Sequence, residues 1–496
     1  MIDWRVQSGR CAGISSILLL LGGCHYTVPK PSISEVLDPQ LAAPQAKSKD
    51  WHPRPVQGIS INLRETQSPP SGNALVEPNK IYKLAELVDL ALRSNPATRS
   101  AWEQARAAAA GLGIAEAAWL PALTATGTAI YSQQASGVFL FRGITTQPVL
   151  GLSWTLFDQS RPAKIDQATQ QLLATNFSFN RTHQKVTYQV QRAYFDYNAA
   201  LALVSAAEVT VRQTGMNAES IKSQLEQGVA TRPELLLALQ DKAKAEYELQ
   251  AARGKVSDTQ SELAESLGIT PNVGLKTVAI NELPLPADIE STADELIDLA
   301  LSQRPDLSAR LAELRAKEAE IRKAEAAFWP TVSVGARAGL TQFDYKYMSG
   351  PAGVNLPSDI RAAYLDYGGG IGFEWNLFEG FATTNAVSQA TAKREAAQAE
   401  FDSLQLQIIK EVWKGYADVK TALRKREYAV ALLKAAEQSY EALKESYANG
   451  LSTVIELLTA ERSLASARFT EIESRTTLLN SVAALVYAAG SSGDSL

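Results

Sequence analysis

Histidine, methionine and cysteine are scarce: the 496 residues include 3 His, 3 Met and 2 Cys. His25, His52 and His183 are scattered without the clustered ligands or oriented base that metal and acid–base sites need. There is no Walker loop and no G-x-S-x-G elbow. The balance of 48 Lys+Arg against 53 Asp+Glu, a formal net charge of −5, offers no basic patch for nucleic acid. These absences argue against an enzyme, a metal protein and a nucleic-acid binder. Proline is missing between Pro162 and Pro233, between Pro233 and Pro271, and after Pro357, which leaves room for very long helices. The apolar run from Ile14 to Leu21 is too short to span a bilayer as a helix.

What is present begins with that short run. Arg5 and Arg10 precede it and Leu21-Gly22-Gly23-Cys24 ends it, the layout of a secretory signal over residues 1–23. The ending looks like a bacterial lipobox, so Cys24 is expected to carry covalent lipid (fatty acyl chains such as palmitate) and to start the mature chain. An ordinary signal with an incidental cysteine is the alternative; the small Gly22 and Gly23 favour lipidation. Cys11 would leave with the signal, so no disulfide could form within one mature chain. His25 in place of aspartate after the cysteine implies, by analogy with enteric lipoproteins, sorting to the outer membrane. Several acyl chains, at about 0.8 kcal/mol per buried CH₂, would hold the protein to a membrane. Residues 24–79 are rich in proline and polar side chains and read as an extended leader.

The rest of the chain is a duplication. Glu86-Leu87-Val88-Asp89-Leu90-Ala91-Leu92 before Pro96 recurs as Glu295-Leu296-Ile297-Asp298-Leu299-Ala300-Leu301 before Pro305, with 305 − 96 = 209. Trp119-Leu120-Pro121 recurs as Phe328-Trp329-Pro330, with 330 − 121 = 209. Each of these prolines marks a switch from helical spacing to strict alternation. Further on the offset grows, 375 − 154 = 221 and 450 − 228 = 222, so the second copy gains residues between its two strands. The first repeat is placed at 80–270, a linker with a short β-like run at 271–290, the second repeat at 291–489 and a tail at 490–496.

Strands are expected at about 121–133 and 148–157, and at about 330–342 and 367–378, each with one oily and one polar face; Arg337 and Glu374 lie on the polar one. Segments of roughly ten residues suit tilted membrane strands, although a soluble antiparallel sheet alternates in the same way. Four strands cannot close a barrel, and lipid does not tolerate open edges; three chains would supply 3 × 4 = 12. Val186, Val190, Ala193, Tyr197, Ala200, Val204, Ala207, Val211 and Thr214 form a heptad seam on a helix of roughly 100 Å. Each long helix reverses at a matched tip, 228–234 and 450–456. There Gly228 and Gly450 end one helix, and Thr231-x-x-Glu234 and Thr453-x-x-Glu456 cap the next.

The lipobox, the paired helix, strand and helical-hairpin units, the switch, the W-x-[LF]-F strand end and the glycine–glutamate tip together resemble the TolC-like outer membrane efflux factors, particularly the lipidated members that serve resistance-nodulation-division or similar pumps. The resemblance covers about Tyr82 to Ala488. It implies an α+β membrane protein: a homotrimer with a twelve-stranded β-barrel in the outer membrane, joined to a periplasmic α-helical barrel with an equatorial belt. It implies a passive exit duct for drugs or other small solutes, without cofactor, partnered by a periplasmic adaptor at the tips near Gly228 and Gly450 and by an inner-membrane pump. Aligned on Gly450, the family's tip arginine and two aspartates fall on Ser452, Glu456 and Thr459; with Arg232 and Glu234 these are the candidates for a periplasmic gate. Arg337 and Glu374 would line the lumen. A type I secretion channel for polypeptides and, in another class, a lipid-anchored periplasmic scaffold without a pore are the competing readings.

Overall fold

The computed structural model describes residues 76–490 except 78–79, 137, 281–282, 287, 290 and 350–358. The signal peptide, Cys24, nearly all of the leader and residues 491–496 lie outside the described residues. The chain divides at Ser68/Pro69 into two units, and every described residue belongs to the second.

The first copy runs from a two-residue strand β1 (Ile81–Tyr82) through α1 (Leu84–Ser94), α2 (Pro96–Glu116), β2 (Ala122–Ser136) and β3 (Phe139–Phe157) to α3 (Ser160–Glu226) and α4 (Arg232–Leu267). After β4 (Lys276–Thr277) the second copy continues as α5 (Ala293–Gln303), α6 (Pro305–Glu325), β5 (Thr331–Ser349), β6 (Asp359–Glu374), α7 (Ala382–Ala448) and α8 (Val454–Ala489). Corresponding helices have equal lengths: 67 residues for α3 and α7, and 36 for α4 and α8. At about 1.5 Å per residue the longer pair reaches roughly 100 Å.

Local chemistry accounts for the breaks. Pro96 and Pro305 open their helices at positions that need no amide donor. One 3-10 turn at Ala117–Trp119 and another at Ala326–Phe328 tighten the helix ends before Pro121 and Pro330. The seam repeats in both copies: Val186, Val190, Tyr197, Ala200 and Ala207 are buried on α3, and Ile408, Val412, Val419, Ala422 and Ala429 on α7, with 408 − 186 = 222 and 429 − 207 = 222. Val204 and Val211 of the expected seam are half-buried in the single chain. Helix α6 packs against both α3 and α7, and α8 packs on α3, so the two copies share one helical body.

The four long strands form one antiparallel sheet in the order β2-β3-β5-β6, leaving β2 and β6 as edges. They are longer than ten residues: 15, 19, 19 and 16. In the distal halves of β5 and β6 the apolar residues move to the opposite face, so a pattern followed on one face ends too early there. At the other end the second copy stops at Glu374, short of the expected 378. The linker's β pairing falls at Lys276 and Thr277, parallel to Ile81 and Tyr82, while Ile280 is buried in the core beside α3.

Candidate functional site

Cross-strand register fixes which side chains share a face of the sheet. One face carries Leu123, Leu150, Leu152, Leu365, Tyr367, Ile371 and Phe373, all exposed large hydrophobics, with Tyr367 at 81% and Ile371 at 75%. An apolar surface of this extent is what a strand presents to lipid. Arg337 and Glu374 lie on the opposite face, Arg337 facing Gly151 and Gly368 and Glu374 facing Thr331. Around them are Thr124, Thr126, Ser153, Ser333, Gly370 and Gly372, small enough to leave space above the sheet.

The switch at each proline is tied down by an indole. Trp154 Nε1 donates to the Trp119 carbonyl at 3.0 Å, and Trp375 Nε1 donates to the Phe328 carbonyl at 3.0 Å. Each returning strand therefore holds the carbonyl released where its own helix ended. In the first copy the buried Arg161 guanidinium also stacks 4.3 Å over the Trp119 ring and donates to the Thr155 carbonyl at 2.5 Å. Sequence reading placed Trp154 and Trp375 at strand ends but missed this contact.

At the helical tips, Gly228 and Gly450 have φ of 74° and 70°. Val229 N donates to the Gln224 carbonyl and Leu451 N to the Ser446 carbonyl, both at 2.8 Å, the six-to-one bond of a Schellman turn. Both glutamates fold back on their own helix starts. The Thr231 amide donates to Glu234 Oε2 at 2.6 Å, and the Thr453 amide to Glu456 Oε2 at 2.8 Å. That amide bond holds the Glu456 carboxyl below its usual range. Arg232 is exposed in the first turn of α4. Ser452 Oγ donates to the Leu443 carbonyl at 3.2 Å and Thr459 Oγ1 to the Ile455 carbonyl at 2.7 Å, so both hydroxyls are engaged locally.

A second set of residues, not singled out from the sequence, joins the two hairpins just inside the tips. Tyr447 Oη donates to Gln224 Oε1 at 2.5 Å; burial raises its phenol, and the Glu234 charge adds to that rise. Asn217 Nδ2 donates to Glu461 Oε2 at 2.8 Å. Arg462 Nε donates to both oxygens of Asp241 at 2.9 and 3.0 Å. Glu461 is only 3% exposed and its Oε1 has no hydrogen-bond partner; burial raises its carboxyl, and the Asp241 charge adds to the rise. The signal for Glu461 was its departure from the repeat, since 461 − 222 = 239 and position 239 is leucine.

Among the described residues no helix is long and apolar enough to cross a membrane, and no group of three His, Cys, Asp or Glu could hold a metal ion. The sequence model of the outer membrane efflux protein family matches residues 87–269 and 296–491, the two copies. Protein CyaE of Bordetella pertussis is 26% identical over 415 residues, covering 83% of this chain and 85% of that one. Outer membrane protein OprJ of Pseudomonas aeruginosa is 25% identical over 476 residues, covering 91% and 90%. Among solved structures, the outer-membrane channel OprN superposes with a TM-score of 0.69 at 20% identity, over 82% of this chain and 89% of that one, a likeness of fold.

Proposed function

The chain belongs to the outer membrane efflux protein family, and from that premise we propose that three copies close into one exit duct that carries small solutes from a periplasmic adaptor and an inner-membrane pump to the exterior. The observation that carries this reading is the sheet: four strands with one exposed apolar face and two open edges, β2 and β6. Unpaired backbone edges are not tolerated in lipid, and three sheets joined edge to edge give 3 × 4 = 12 strands without any edge. The face with Arg337 and Glu374 then lines a water-filled lumen, and the long helices continue the wall into the periplasm. The sequence has no Walker loop to bind nucleotide, so transport energy comes from the pump.

In this reading Cys24 carries the lipid that anchors the mature chain to the outer membrane. The turns at Gly228 and Gly450 meet the adaptor. Glu234 and Glu456 ring the periplasmic aperture while they cap their helices, with Arg232, Ser452 and Thr459 beside them, and carboxylates at a narrow mouth favour cations. Purified protein in planar bilayers should conduct ions with a cation preference, and Glu456→Gln should lower that preference. Absence of conductance in both proteins would sink the duct.

A further inference from the structure

Along β5 and β6 the two faces exchange character partway up. On the lipid-facing side of these two strands the apolar series ends at Leu340 and Leu365; beyond it Asp344 and Arg361 are paired at 3.3 Å, and Lys346 stands opposite Asp359. On the inner side the order is reversed. Thr331, Ser333 and Gly335 occupy the end near the helices, and rings occupy the far end: Phe139, Phe141, Phe343, Tyr345, Tyr347 and Tyr364. Lipid cannot explain these rings, because they point away from it.

The rings form a built surface. Phe141 and Tyr347 have centroids 5.9 Å apart, Phe343 lies 5.8 Å from Tyr345 and 5.6 Å from Tyr364, and Phe139 lies 6.3 Å from Tyr347. Tyr345 Oη shares hydrogen bonds with Thr145 Oγ1 at 2.8 Å and Ser132 Oγ at 3.3 Å, which fixes its ring across three strands. Opposite it, Gly143 leaves no room for a side chain, since a Cβ there would run into the Asp344 carbonyl oxygen. Five of the six rings are half-buried, and Tyr364 remains 47% exposed. Asp366 lies on the same face one position nearer the helices than Tyr364, its carboxylate accepting from the buried Thr341 Oγ1 at 2.5 Å. Among the described residues of the inner face, Asp366 carries the only charge on the distal side of Arg337.

We propose that these six rings, with Asp366 beneath them, form an aromatic collar at the extracellular mouth of the duct that binds flat cationic aromatic solutes as they leave. This rests on the duct reading, because the inner face becomes a lumen wall only when the sheet closes. Ring faces carry negative quadrupole potential and attract cations as well as flat apolar surfaces, and a single carboxylate nearby sets the sign of the preferred charge. Every solute leaving through the barrel must pass this ring-lined level, so affinity here governs release.

The test uses the full-length protein in lipid nanodiscs with rhodamine 6G, a flat cationic dye, followed by fluorescence anisotropy. Saturable binding is expected, weakened at least fivefold in the triple variant Phe343→Leu/Tyr347→Leu/Tyr364→Leu and at least threefold in Asp366→Asn. Tyr347→Phe keeps the ring and should bind as the native protein does. Equal affinity in the native protein and the leucine variant, or no saturable binding to the native protein, would overturn the collar; fluorescein, flat but anionic, binding as tightly as rhodamine would overturn its charge preference. Should the triple variant lose the heat-modifiable gel mobility of a folded barrel, Phe343→Leu alone is read by the same criterion. Conductance measured in parallel separates the two ideas, since unchanged conductance without dye binding removes only the collar, and absent conductance removes the duct.

Discussion

Asn95 and Arg304 occupy the same place in the two copies, 304 − 95 = 209, each before the proline that opens the longer helix and each against the glycine that ends its copy. Gly268 and Gly490 are both left-handed, with φ of 69° and 75°; a Cβ on Gly268 would lie 2.9 Å from Asn95 Cα, and one on Gly490 would lie 2.7 Å from Arg304 Cγ. The backbone contact is shared, but its chemistry is not. Asn95 Nδ2 donates to the Ser266 carbonyl at 2.8 Å and stays neutral. Arg304, only 2% exposed, donates to Asp306 at 2.6 Å, to Glu411 at 2.7 Å and to the Ala488 carbonyl at 3.2 Å, while Arg181 approaches Asp306 at 3.5 Å and lies 3.8 Å over the Tyr487 ring. The first copy has Ala97 and Gln189 in place of Asp306 and Glu411, with 306 − 209 = 97 and 411 − 222 = 189. Duplication kept the backbone joint and concentrated charge at the second of the two joints, where the end of α8 meets α3, α6 and α7.

Three measurements would break or sharpen this contrast. The largest effect is expected from Arg304→Met, which removes the buried cation from half-buried Asp306 and Glu411 and from the Ala488 carbonyl; because both acids are partly solvated, the loss should fall below the roughly 3–5 kcal/mol of a fully buried pair and above that of Asn95→Ala. Asn95→Ala should cost about 1 kcal/mol, the usual worth of one neutral hydrogen bond. Thermal midpoints of the detergent-solubilised protein compare the two, and equal losses would erase the distinction between the copies.

The second measurement concerns pH, where two acids of the second copy, half-buried Asp306 and buried Glu461, act in opposite windows. Burial alone would raise the Asp306 carboxyl, but the Arg304 hydrogen bond and the Arg181 charge hold it below the usual aspartate range. Its stabilisation is present above the unfolded value and is lost as pH falls through the folded one. The Glu461 carboxyl is raised, so its contribution is present at acid pH and is lost as pH rises through the folded value. Glu461→Leu, which installs the first copy's residue, should remove the loss of thermal stability that sets in as pH rises above the ordinary glutamate range, and leave the acid loss in place. A loss unchanged in that variant would exclude Glu461 as its source.

The smallest effect tests where the copies agree. Trp154→Phe and Trp375→Phe each remove one indole donor to a switch carbonyl and should each cost about 1 kcal/mol. Clearly unequal losses would show that the first copy's Arg161 stack already secures its switch.

Much of this architecture was legible because it is periodic. The spacing from Val186 to Thr214 revealed the seam, and the repeated Thr-x-x-Glu revealed the helix starts at both tips. What escaped has no period. The tie from Trp375 to the Phe328 carbonyl joins residues 47 apart through a loop whose length differs from that of the first copy. Glu461 sits in a helix with several other charges, where one more carboxylate reads as a solvated side chain; its replacement of the first copy's Leu239 was the one sign in the sequence, and its bond to Asn217 and the nearby Asp241 charge appear only in the structure. The distal strand halves were hidden because Phe343, Tyr345 and Tyr347 continue the alternation on the face first read as polar. In the comparison of copies the same rule holds: shared backbone was visible by subtraction, and divergent polar contacts were not.

Equal helix lengths in the two copies have a consequence for docking symmetry. Because α3 matches α7 and α4 matches α8 residue for residue, the turns at Gly228 and Gly450 end their hairpins after the same axial travel. In the proposed three-chain duct, 3 × 2 = 6 turns would therefore stand at one level around one axis, and the proposed adaptor would meet six nearly equivalent ends. Neighbouring ends would be told apart by the side chains that differ there, among them Arg232 and Pro233 on one turn and Val454 and Ile455 on the other.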